Sequence, residues 1–318
     1  MINRNDLTNS WQSTNDQAQT RQQKKNIADR MFWVNGASDA FVTSACDLLI
    51  DTVPLSILQN LERDGYSFVL KDLVSTGRPN LENVFNSVTG EKDPDAFNYT
   101  GGLHEPEFRH ITIAEYVVKK KNAGEQDADA QPQRELEKAQ FWQNAVIHEI
   151  GHQVAIYIGI AQANKILPGQ HNDTESLQRA LNQKNMLNFL GITESTEFKQ
   201  VHNKEVANIP SSQGMGYFTD TRDIEKNPRS IARHETFAES FDILMRGSDS
   251  TYNFSNFVSY FPETLNLVYR LTKEQYPDFE AHPALDCVLH KADNDYSNSG
   301  NGLQEQAQAS SFSGGRMP

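Results

Sequence analysis

Cysteine is almost missing from this sequence. Only Cys46 and Cys287 occur, with no Cys-x-x-Cys pair, so a cysteine-built zinc knuckle is excluded. Each thiol lies in an apolar stretch (44–49 and 285–289), which predicts two buried free thiols rather than a disulfide. Long hydrophobic runs are missing as well. No apolar segment approaches the ~20 residues that span a bilayer, so no membrane span is expected. The opening Met1-Ile2-Asn3-Arg4-Asn5-Asp6 has neither an apolar core nor a secretory cleavage site. The chain is therefore expected to be made in the cytoplasm without a Sec-type signal. Basic charge is the third deficit. There are 29 Lys and Arg against 42 Asp and Glu, a net charge of −13, which argues against nucleic acid as the main partner.

What is present is a chain of 318 residues, long enough to bury a sizeable core. Hydrophobic residues make up 37%, low for a globule but explicable if the ends are polar tails. Residues 1–29 are rich in Asn, Gln, Ser, Thr and Lys and are expected to form a disordered leader, a composition compatible with an export signal. Residues 293–318 are expected to be a disordered tail. One domain is expected between them, over 30–292. Pro54 and Gly65 bracket a helical stretch, and 66–70 then reads as a strand. Residues 75–100 read as loop with a short helix, 110–118 as a second strand and 119–135 as a charged loop. Helices are expected over about 135–159, 174–190, 229–246 and 262–275.

The segment His148-Glu149-Ile150-Gly151-His152 lies inside the first of these helices. Histidines four apart stand one turn above each other, so both imidazoles can reach one ion. Glu149 is rotated by about 100° from His148, where its carboxylate can address an attacking water without occupying the metal. Gly151 has no side chain and would admit a close neighbour. Zinc needs a third protein donor and keeps a fourth position open. A third histidine six residues after His152 is excluded, because Ile158 stands there. The remaining candidates lie downstream, in Arg233-His234-Glu235-Thr236-Phe237-Ala238-Glu239-Ser240-Phe241-Asp242. Glu235, Glu239 and Asp242 share one helical face, at i, i+4 and i+7. The other seven histidines, His234 included, are not expected to bind the metal.

Together, His148-Glu149-Ile150-Gly151-His152 and Glu235-Thr236-Phe237-Ala238-Glu239-Ser240-Phe241 resemble the two metal motifs of the lethal-factor-like zinc peptidases, the family of the anthrax toxin protease. The stretch 54–69 is similar to the helix-then-strand that opens such domains. The stretch 99–113 is similar to their edge-strand region. The resemblance covers about residues 50–250 and implies an α+β, zincin-like fold. A small mixed sheet and an active-site helix would be followed by a mostly helical C-terminal subdomain. It implies one Zn2+ per chain held by His148, His152 and Glu235, a gluzincin ligand set, with Glu239 supporting the site from behind. The family's transition-state tyrosine lies shortly before the ligand glutamate. Position 228 is proline here, and Tyr217 is the nearest tyrosine upstream.

The reading that follows is a zinc endopeptidase in which Glu149 is general base and then proton donor to the leaving amine. Tyr217 or Arg222 would supply a donor to the oxyanion. The substrate strand would pair along the edge near 99–113. The expected partner is a protein or peptide substrate, with a host protein among the options. The expected setting is a bacterial effector or toxin carried into a target cell by a specialised export system. Two other readings stay open: a degenerate binding module with structural zinc, and a housekeeping cytosolic peptidase.

Overall fold

The computed structural model describes residues 4–77, 96–98, 100–118, 136–139, 142–166, 191–210, 215–219, 231–250 and 254–289. The chain begins with helix α1 (Arg4–Met31) and strand β1 (Phe32–Asn35). Helix α2 (Asp39–Thr52) follows, its first turn capped by Ser38, whose side chain accepts from Phe41 N. Helix α3 (Leu55–Arg63) opens after Pro54. Gly65, at φ 76°, turns the chain into strand β2 (Ser67–Lys71), a left-handed position that suits glycine. Strands β3 (Gly102–Glu105), β4 (His110–Ala114), β5 (Tyr116–Val118) and β6 (Leu136–Lys138) come next. Then come helices α4 (Trp142–Ile166), α5 (Thr196–Val206), α6 (Gly216–Thr219), α7 (Ile231–Arg246), α8 (Phe254–Tyr260) and α9 (Pro262–Gln275).

The fold is α+β, with a small mixed sheet and mostly helical content. The main sheet runs β1-β2-β4-β3. The first three strands are parallel, and β3 is antiparallel to β4. The ladder pairs His104 with Ile111 and Gly102 with Ile113, so both β3 residues share the face that carries buried Phe68, Leu70, Ile111 and Ile113. That face joins Val146, Ile150 and Val154 of α4, Ile57, Leu58 and Leu61 of α3, and Phe237 and Phe241 of α7 in one core. Helix α4 is thus the central element, between the sheet and α7. Gly151 permits the second contact. A Cβ there would lie 2.9 Å from Ala238 Cα and 3.1 Å from Phe241 Cβ, so the two helices meet backbone to backbone. Among the described residues no single helix is long and apolar enough to cross a membrane. The bent pair α2–α3 passes on length and composition, but Leu49, Val53, Ile57, Leu58 and Leu61 are fully buried inside the protein.

Several expectations need correction. The leader is not without structure: α1 runs through it, and Ile27, Ala28 and Met31 bury its last turns. Their spacing within one turn was masked by the polar residues before them. The strand over 110–118 is two strands, because Glu115 breaks it. Its N–H donates to Lys71 O, and its carboxylate accepts from Ser38 N and Ser38 Oγ. The active-site helix starts at Trp142, not Glu135, because 136–138 pair with β5. Both thiols are free as expected, but Cys46 is half-buried and Cys287 exposed. The expected helix over 174–190 and the tail over 293–318 lie outside the described residues.

Candidate metal centre

The packing of α4 on α7 sets two histidines opposite one carboxylate. His148, His152 and Glu235 each offer a donor atom, all within 4.8 Å of one another. His148 Nε2 lies 2.9 Å from Glu235 Oε2, and His152 Nε2 lies 3.6 Å from the same oxygen. A tetrahedral ion holding donors about 2.0–2.1 Å away keeps them roughly 3.3 Å apart, so these spacings bracket what zinc requires. The two imidazoles meet edge to face, with centroids 4.9 Å apart and planes at 84°. His148 Nδ1 lies 3.3 Å from Glu239 Oε2. That bond leaves Nε2 as the free donor, the tautomer control expected behind a metal-binding histidine. Two neutral nitrogens and one carboxylate are the donor chemistry of a catalytic zinc site, and the residues fit.

The electrostatics follow from this crowding. Burial alone would lower the His148 pKa, but hydrogen bonds to Glu235 and Glu239 hold it well above the ordinary value. Burial alone would raise that of Glu235, but His152 and His148 hold it well below. Glu149 is raised, chiefly by burial, against the pull of both histidines. The backbone amide of His104 favours its ionised form. Strand β3 is that close because of Gly102: a Cβ there would lie 3.1 Å from both Cγ and Oε1 of Glu149.

Of the carboxylates expected on one face of α7, Glu235 and Glu239 reach the site. Asp242 does not. It is fully buried with neither oxygen hydrogen-bonded, 3.7 Å from Arg246 Nη1. His234 is not in the donor group. Its Nδ1 lies 3.1 Å from Thr193 Oγ1, and burial drives its pKa down to about 4. Tyr217 lies in the short helix α6, and its side chain is outside what the structure describes, as is Arg222. Helix α6 is tethered by His202, whose Nε2 lies 3.0 Å from Phe218 O and 3.1 Å from Thr236 Oγ1 of α7.

Three residues of the surroundings were not expected there. His104 stacks on His152, with centroids 6.0 Å apart and planes at 14°. Tyr66 stacks on the other side of His104, and Gln153 bonds to both. One signal for His104 exists in the sequence. It alternates in phase with Gly102 in the edge strand, while the matching β4 positions, Ile111 and Ile113, are apolar.

No family model matches the chain, and no curated protein matches it. Among solved structures, the PRO-PRO endopeptidase from Paenibacillus alvei matches at 16% identity, covering 77% of this chain and 99% of its own, with a TM-score of 0.39. That likeness is too distant to carry a fold or an activity over.

Proposed function

We propose that this protein is a zinc-dependent endopeptidase that hydrolyses a peptide bond in a protein substrate. The observation that carries the reading is that Glu149 lies beside the His148–His152–Glu235 group and against Gly102 of β3, the outermost strand of the sheet among the described residues. Ala114 N donates to Gly101 O. The antiparallel alternation then turns the main-chain groups of Gly102 and His104 away from β4, toward an edge that no described strand covers, with the His104 N–H directed at Glu149. An extended peptide pairing there would lie directly over Glu149. Bound zinc would supply Lewis-acid polarisation of the scissile carbonyl. Glu149 accepts a proton from the attacking water and delivers it to the leaving amine, so one water and one amide give one carboxylic acid and one amine. Its burial favours a carboxyl able both to take and to return a proton. Glu239 holds His148 for metal binding. Tyr217 is our candidate donor to the oxyanion.

The finer reading, a lethal-factor-like effector or toxin translocated into a target cell with a host protein as substrate, rests on the motif resemblance. The decisive test is Glu149→Gln. It should keep about one zinc per chain by elemental analysis and a normal melting temperature, because Glu149 is not a ligand. New N-termini in a proteome incubated with the protein should appear at least a hundredfold more slowly, within the 10²–10⁴ expected for loss of a general base. An undiminished cleavage rate overturns the mechanism. A biological effect that survives intact in zinc-loaded Glu149→Gln favours a binding module instead.

A further inference from the structure

Three rings stand in a column beside the metal group. Tyr66, His104 and His152 have centroids 6.1 and 6.0 Å apart, with planes only 12° and 14° from parallel. They come from three different elements: the turn before β2, the edge strand β3, and α4. A single acceptor ties the first two together. Gln153 Oε1 lies 3.0 Å from His104 Nε2 and also accepts from Tyr66 Oη–H. Gln153 is 1% exposed and Tyr66 3%, so solvent does not compete for these bonds. Because that oxygen is an acceptor, His104 carries a hydrogen on Nε2.

Gln153 also follows His152 directly in α4. The same three residues, Tyr66, His104 and Gln153, therefore fix two things at once. They press a flat face against the ligand His152, limiting rotation about its ring torsion. They also hold β3 at its close approach to α4, where Gly102 meets Glu149.

We propose that Tyr66, His104 and Gln153 form a brace that sets the orientation of His152 toward the metal and the spacing between Glu149 and the substrate-pairing strand. His104 is the central positioning residue. It does not ligate the metal: His148, His152 and Glu235 form the donor group without it. The proposal rests on the metal-centre reading above and adds what holds one of its ligands.

The test uses the full chain, zinc, and Co2+ as a spectroscopic probe. Zinc affinity is measured by competition with a chromophoric chelator, and the visible bands of the Co2+-loaded protein report ligand geometry. His104→Ala should weaken zinc roughly 10–100-fold, the usual loss when the group behind a ligand is removed, and should shift the Co2+ bands. His104→Phe restores the flat face and should recover most of the affinity, but not the bond to Gln153. Tyr66→Phe keeps the stack, leaves Gln153 Oε1 with one donor fewer, and should move the bands less than His104→Ala does. If His104→Ala fails to fold, the Phe variants still decide. A His104→Phe protein as weak as any unstacked site overturns the stacking role. Unchanged affinity and unchanged Co2+ bands in both His104→Ala and Tyr66→Phe overturn the brace while leaving the metal centre intact. Failure of the unaltered protein to bind zinc overturns the metal-centre reading and the brace with it.

Discussion

The two helices that meet across the site are built on opposite plans. Helix α4 buries apolar residues on almost every side: Val146, Ile147, Ile150, Val154, Ala155 and Ile158. Against that background, His148, Glu149, His152 and the buried Gln153 stand out as polar departures. Helix α7 buries polar residues throughout its length. Arg233 pairs with Glu194, and the Thr236 and Ser240 hydroxyls bond back to carbonyls four residues earlier. Its site residues are therefore not departures from anything. Glu235, Glu239 and Asp242 lie on one face, yet one joins the donor group, one bonds to His148, and one has no hydrogen bond at all. Shared helical phase places side chains in a direction. The depth of the partner at each level assigns their roles.

The largest effect should come from the first two acidic positions on α7. Glu235→Ala should abolish zinc binding at stoichiometric concentrations, because two histidines alone do not make a site. Glu239→Ala should retain the metal but bind it roughly 10–100-fold more weakly. Equal losses, measured by the same chelator competition, would mean that both carboxylates are ligands.

The closeness of the two helices is tested by Gly151→Ala. The added methyl has no room against Ala238 Cα, so the helices must separate. A loss of about 1–3 kcal/mol in denaturant unfolding is expected, in the range of overpacked cores. A protein as stable as the original would show that the contact is looser than described.

Acid should loosen α7 from the other side. His202 is fully buried, between Phe198 and Phe261, and burial lowers its pKa to about 4 from an ordinary 6.5. The folded state thus disfavours the imidazolium. The stabilisation is complete above pH about 6.5 and is lost as pH falls toward 4. Between pH 7 and 5 this group alone should cost about 2 kcal/mol of unfolding free energy. His202→Gln, though less stable at pH 7, should lose correspondingly less over the same interval. Identical pH slopes for the two proteins would remove His202 from the account.

The smallest effect should come from Asp242. Its burial raises its pKa well above the ordinary carboxylate value, against the pull of Arg246. Arg246 has other partners in Asn144 Oδ1 and Asp249 O. Asp242→Asn should leave zinc affinity within about twofold and stability within about 1 kcal/mol, since a neutral group of the same shape replaces it. A tenfold loss of zinc would place Asp242 in the metal centre after all.

By itself, the sequence determined what local periodicity can carry. The His148–His152 pair on one helix turn, the helix over 262–275 and the Pro54–Gly65 bracket depend on residues within a few positions of one another, and each is present in the structure. At that level Glu235 was legible only as one of three acids on a helical face, and the α+β class was implied by the motif resemblance. Tertiary structure decided the rest, because it turns on distances between elements far apart in the chain. The polar first helix buries three residues near its end, Ile27, Ala28 and Met31, against the rest of the protein. Glu115 interrupts a run of strand formers because Ser38 needs its carboxylate. Of the three acids on α7, Glu235 is the one that stands level with the two histidines on α4. His104, in a stretch with no motif, reaches the metal group only because β3 lies against that helix where Gly102 lets it.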